Sequence, residues 1–84
     1  MTSTSLAVEL KKWRLGARLT LLEAERQTNI HRNTLQRYEA REGGLPKAVN
    51  LLRLAKVLNL TPEEVLKLAQ NDKSLRAKQK DQQV

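Results

Sequence analysis

The sequence predicts an all-α fold: one small domain of five short helices. Three observations carry that expectation. Of 84 residues, 16 are Leu while Val and Ile together number six, and the aromatics are Trp13 and Tyr38 alone; such a balance favours helix over strand. Apolar residues recur at steps of three and four through most of the chain, the period of a one-sided helix. Helix-start residues and turn residues punctuate that period at short intervals. At this length only about 60% of the unfolded chain's surface can be buried, so a second domain would leave neither with a core.

Residues 5–16 read as the first helix. Leu6, Leu10 and Trp13 share one face, Lys11, Lys12 and Arg14 cover other sides, and either Thr4 or Ser5 supplies the N-cap. Thr20 opens the second helix. With Glu23 three residues on it makes a capping box, and Leu21 and Leu22 follow at once. That helix runs to about Gln27 or Thr28, where Asn29 supplies the residue that best tolerates a left-handed turn after Gly. Ile30, apolar in a polar turn, is read as a core plug.

The third helix spans about Arg32 to Ala40 with Leu35 and Tyr38 inward, and Gly43-Gly44 permits a sharp change of direction. Pro46 is read as a first-turn proline for a fourth helix over 47–58, whose stripe is Ala48, Leu51, Leu52, Ala55 and Leu58. Asn59 stops it. Thr61-Pro62-Glu63-Glu64 then starts a fifth helix, with Thr as N-cap and Pro in the first turn. It continues through Val65, Leu66 and Ala69 to about Gln70. The expected domain is 1–70. Residues 71–84 hold almost nothing to bury and are expected to be a basic, polar C-terminal tail, either mobile or a frayed extension of the fifth helix.

Composition removes whole classes of function. There is no cysteine and a single histidine, His31. A disulfide framework, a Cys- or His-built metal cluster, a thiol nucleophile and a His-pair acid–base site are all unavailable. No enzyme activity, metal or cofactor is expected. No apolar run approaches the roughly 18–20 residues of a membrane span. Met1-Thr2-Ser3-Thr4-Ser5 has no basic n-region ahead of an apolar stretch, so the expected location is the cytoplasm.

Charge gives the positive indication. Sixteen Lys and Arg against nine Asp and Glu leave +7, the balance of a protein that meets polyanions. The excess is +3 in residues 1–40, +2 in 41–70 and +2 in 71–84, so the folded part must also carry positive surface.

The most informative segment is residues 20–39, TLLEAERQTNIHRNTLQRYE. Two short helices joined by a tight turn that holds one apolar residue have the layout of a helix-turn-helix, whose second helix enters the DNA major groove. With Leu35 and Tyr38 inward, Arg32, Asn33, Gln36 and Arg37 face out. Arg matches guanine O6/N7 and Asn or Gln matches adenine N6/N7, and Glu39 is the first acid on that helix.

Residues 10–66 resemble the Cro/CI-type, XRE-like helix-turn-helix domain of prokaryotic and phage repressors. The residues that carry the likeness are Leu10, Arg14, Leu19-Thr20, Thr28-Asn29-Ile30, Leu35-Gln36-Arg37-Tyr38-Glu39, Leu45-Pro46 and the run from Leu51 to Leu66. The resemblance implies a five-helix lambda-repressor-like DNA-binding domain with the helix-turn-helix formed by helices 2 and 3. It implies base reading by Arg32, Asn33, Gln36 and Arg37, and a clamp between Arg14 and Glu39 that ties helix one to helix three. Phosphate contacts fall to Thr20, His31, Thr34, Arg41 and Lys47. The chain departs from the family pattern at Leu21, where Gln is common, at Ala24-Glu25 in place of Leu-Ala, at Asn29 in place of Gly, and at His31 in place of a Ser or Thr cap.

Leu52, Val57, Leu60, Leu66 and Leu68 are too many apolar residues for one side of a small core, which suggests a partner surface. Leu66 and Leu68 are the candidates for a homodimer contact, matching two half-sites about one helical turn apart. The reading is therefore a sequence-specific regulator of a double-stranded DNA operator, a repressor acting as a dimer. The alternative is a protein-interaction module, such as an antitoxin, in which a protein partner is primary and DNA secondary. Lys73, Arg76, Lys78 and Lys80 are expected to add phosphate affinity without specificity.

Overall fold

The computed structural model describes the backbone of residues 5–82 and the side chains of residues 5–75. Five helices follow one another: α1 (Leu6–Gly16), α2 (Leu21–Thr28), α3 (Arg32–Glu39), α4 (Ala48–Leu58) and α5 (Pro62–Gln82). Among the described residues there is no strand.

The caps set the helix limits. Ser5 is the N-cap of α1, its Oγ accepting the Val8 N–H at 3.3 Å. Beyond Gly16 the chain turns through Arg18 at φ 58°, where the Leu19 N–H returns to the Arg14 carbonyl at 2.9 Å. The Thr20 capping box forms in both directions: the Glu23 N–H donates to Thr20 Oγ1 at 3.1 Å and the Thr20 N–H to Glu23 Oε1 at 2.9 Å. Thr61 and Glu64 repeat the device at the head of α5, at 3.0 and 3.2 Å. Asn29 and Asn59 close α2 and α4 in the left-handed conformation, at φ 63° and 58°.

The core gathers Leu6 and Leu10 of α1, Ala24 of α2, Ile30 of the turn, Leu35 and Tyr38 of α3, Leu54 and Ala55 of α4, and Val65 and Ala69 of α5. Each fully buried Leu contributes about 1.5–3 kcal/mol relative to exposure. Trp13 packs at the edge and is only half-buried.

Three expectations need correction. In α4 the buried residue is Leu54, whereas Leu52 is 61% exposed and Ala48 is exposed. The true stripe is Leu51, Leu54, Ala55 and Leu58; Leu52 lies about 100° around the helix from Leu51, and α4 packs against α5, α2 and α1 on the other side. Pro46 is buried but precedes the Lys47 N-cap, so it shapes the approach to α4 and not its first turn. Finally, α5 does not stop near Gln70. It continues to Gln82, and Asp72 is buried at 8% exposure. A search for apolar residues passes over this turn because its anchor is a carboxylate held by hydrogen bonds. The expectations for Arg76, Lys78 and Lys80 lie outside the described side chains.

The helix-start carboxylates fix a pH response. Glu23, Glu25 and Glu64 are each held below the usual carboxylate range, chiefly by a backbone N–H, from Thr20, Arg32 and Thr61 respectively. A depressed carboxylate stabilises the fold above its unfolded-state pKa, and the contribution is lost as pH falls through the folded value. Thermal melts from neutral to strongly acidic pH are expected to fall for the native chain. A Glu23→Gln/Glu25→Gln/Glu64→Gln variant should show a shallower fall, whereas equal slopes would show that other groups carry the acid response.

Candidate nucleic-acid interface

The face of α3 follows from which of its residues are buried. Leu35 and Tyr38 point into the core, Thr34 is half-buried, and Arg32, Asn33, Gln36 and Arg37 are exposed. Steps of three and four place these four on one side of a two-turn helix. Its first turn contains no acid.

His31 caps α3. Its Nδ1 accepts the Asn33 N–H at 3.1 Å, which leaves Nε2 to carry the proton of the neutral ring. A second anchor comes from α2: Glu25 Oε1 accepts the Arg32 N–H at 3.0 Å and stands 3.4 Å from Arg32 Nη1. The charge that enters α2 at Glu25 thus serves the start of α3, while Ala24 supplies the small buried residue against which α3 can pack. Between the helices, buried Thr28 gives its hydroxyl proton to the Ala24 carbonyl at 2.8 Å and accepts the Ile30 N–H at 3.1 Å. From α4, Arg53 Nη1 donates to the Asn29 carbonyl at 2.9 Å and closes the turn from outside.

Arg14 and Glu39 meet as a two-pronged pair. Arg14 Nε donates to Glu39 Oε2 at 2.8 Å and Nη2 to Oε1 at 2.9 Å, while Nη1 reaches the Leu19 carbonyl at 3.1 Å. The side chains are only 16% and 10% exposed. The hydrogen bond to Glu39 raises the Arg14 pKa further, with burial working against it. The pair joins α1 to the far end of α3 and, through Leu19, to the approach to α2, so it sets how α3 projects.

The segment between α3 and α4 is tightly wound. Arg41 sits at φ 61° and Gly44 at φ 68°. A Cβ on Gly43 would run into the Tyr38 ring, 2.7 Å from Cε1. The Tyr38 hydroxyl accepts from Asn50 Nδ2 at 3.1 Å. Among the expected phosphate residues, Lys47 is exposed at an α4 N-terminus that has no side-chain cap. Thr20 is exposed with its hydroxyl oxygen engaged by Glu23, and His31 is exposed. Arg41 is placed differently. Its Nε donates to Asp72 Oδ1 at 3.0 Å, and Asp72 Oδ2 accepts the Ala7 N–H at 2.9 Å. Arg41 therefore ties its loop to α5 and to the first turn of α1.

Asp72→Ala is expected to leave a buried N–H and a half-buried guanidinium unpaired, lowering stability by about 1–3 kcal/mol. Chemical denaturation checks this, and a change within about 0.5 kcal/mol would show the node to be incidental.

The apolar surface also differs from expectation. Of Leu52, Val57, Leu60, Leu66 and Leu68, only Leu52 is exposed; the others are half-buried, and Leu60 and Leu68 pack against the core. Leu58, Leu60 and Leu68 line a groove of about 400 Å³ with Glu9, Glu64, Lys67 and Asn71. Among the described residues, no helix is long and apolar enough to cross a membrane and no acid–histidine group could hold a metal.

Residues 5–68 match the helix-turn-helix domain family, a stretch that takes in α1 to α4 and the first turns of α5. The chain belongs to that family. Its helix-turn-helix is the α2–α3 pair, with Asn29 and Ile30 in the turn. Membership points to a DNA-binding regulator. No curated protein and no solved structure matches the chain.

Glu25, Asp72 and Arg53 were missed by reading the sequence for base contacts and apolar period. Glu25 left a signal, an acid one turn before the end of α2 facing a helix that starts with Arg. Asp72 and Arg53 are tertiary partners that no local spacing marks.

Proposed function

We propose that this helix-turn-helix protein is a sequence-specific binder of double-stranded DNA that acts as a transcriptional repressor. The observation that carries the reading is the outward face of α3. Arg32, Asn33, Gln36 and Arg37 stand together there without an acid among them, on a helix clamped at both ends by His31, Glu25 and Arg14–Glu39. Such a face suits major-groove base edges. Lys47, Thr20, Thr34 and His31 take phosphates, with the free N–H groups at the start of α4 adding to Lys47. Arg41, whose Nε is held by Asp72, offers its remaining guanidinium N–H groups to a phosphate as well. Binding of duplexes from a random pool tests the function: a preferred sequence supports it, and equal binding of all duplexes refutes it.

The repressor works as a homodimer through α5 and the end of α4, so that two α3 helices meet half-sites about one turn apart. Support comes from the groove that Leu68 lines with Leu58 and Leu60, and from half-buried Leu66 on another side of α5. Leu66→Glu is the cleaner probe, because Leu68 also packs on the core. Sedimentation at high concentration should show a dimer for the native chain and a monomer of unchanged helicity for Leu66→Glu. A native monomer whose preferred DNA lacks paired half-sites would refute dimerisation.

A further inference from the structure

Glu25 has a place in α2 that base reading by α3 does not by itself require. One of its oxygens, Oε1, accepts the Arg32 N–H at 3.0 Å and lies 3.4 Å from Nη1 of the same residue. The carboxylate thus holds Arg32 by its main chain and by its guanidinium together. The backbone bond fixes where the carboxylate sits, and the carboxylate then limits where the guanidinium can go. Glu25 is 29% exposed and Arg32 50%, so the guanidinium is steadied while still open to a ligand.

An Arg side chain is rich in rotamers, and ordering it is a large part of the cost of a bidentate base contact. A guanidinium has enough N–H donors to keep one on Glu25 and present others to a base. The Arg32 N–H holds the Glu25 carboxyl below its usual range, so the grip is charged at neutral pH.

We propose that Glu25 is a positioning residue for base readout: it pre-orients the Arg32 guanidinium toward a guanine edge and sharpens discrimination at that one base pair. This rests on the DNA-reading function proposed above. Glu25 also brings a negative charge close to a polyanion. Repulsion of phosphates acts on every duplex alike, however, and cannot by itself raise discrimination. The two effects are therefore separable.

Glu25→Gln separates them, since the amide oxygen can still accept the Arg32 N–H while the charge is gone. In the protein without DNA, 15N relaxation of the arginine Nε–Hε groups should show Arg32 more ordered than Arg37, and equally mobile in Glu25→Gln. An Arg32 as mobile as Arg37 in the native chain overturns the proposal. With DNA, affinities of the native chain, Glu25→Gln, Arg32→Ala and the double variant are measured against the preferred duplex and its single-base variants. Glu25→Gln should bind all of them more tightly by a common factor. Discrimination at one base pair should fall about 2- to 5-fold, the range that an exposed ion pair supports, with no further fall on the Arg32→Ala background. Uniform tightening with unchanged ratios would make Glu25 a repelling charge only, and equal loss at every position would make it a structural support of α3; either result overturns the proposal. If no duplex is preferred at all, the DNA-reading function itself fails, and the relaxation measurement still decides the grip on Arg32.

Discussion

Arg14→Ala is expected to destabilise the protein, with about 3–5 kcal/mol, the cost of stranding one member of a fully buried ion pair, as the upper limit for this partly buried one. Glu39 would keep its charge at 10% exposure with neither guanidinium bond, and the Leu19 carbonyl would lose its Arg14 donor. Glu39→Gln should cost less, because an amide can still accept one of the two bonds. The Arg14→Ala/Glu39→Gln double variant should lose less than the sum of the singles, since the second change removes a charge already stranded by the first. In a domain of this size each 1 kcal/mol moves the melting temperature by roughly 4–8 °C, so thermal and chemical denaturation can both measure the cycle. Additivity within about 0.5 kcal/mol would show that the pair contributes no coupling.

The second large effect belongs to the face of α3. A good bidentate base contact supplies ~1–3 kcal/mol of discrimination. Asn33→Ala should relax preference at one base pair per half-site, where adenine is expected. Arg32→Ala and Arg37→Ala should each relax it at a guanine, with Gln36→Ala acting at an adenine. Lys47→Ala should behave otherwise, weakening good and poor sites alike and flattening the log–log salt dependence by about 0.9 for its one phosphate. Competition titrations against single-base duplex variants, repeated at several salt concentrations, separate the two classes. Equal losses across all variants for the α3 substitutions would make that helix a phosphate-binding surface without readout.

Much of this was legible from local chemistry. Thr20 with Glu23, Thr61 with Glu64, and Asn29 and Asn59 mark helix ends by bonds made within a turn, and such bonds depend on nothing distant. The alternation of Leu35 and Tyr38 with Arg32, Asn33, Gln36 and Arg37 likewise sorts α3 into a buried and an exposed side. The errors arose where tertiary context chose between equal local options. Leu52 and Leu54 both fit a helical stripe in α4, and only the side occupied by α5, α2 and α1 selects Leu54. Residues 71–75 carry little apolar surface, yet Asp72 holds that turn of α5 by receiving Ala7 and Arg41. The same bond engages Arg41 Nε, a tertiary tie that no local spacing in the loop marks.

Base reading by α3 is decided by selection from a random duplex pool. The native chain should enrich one sequence pattern, with half-sites about one helical turn apart. The Asn33→Ala chain, selected in parallel, should enrich the same pattern with a single position per half-site relaxed and the others intact. A pool that yields no pattern with the native chain, or an identical pattern for the native chain and for each of the four α3 variants, would contradict it.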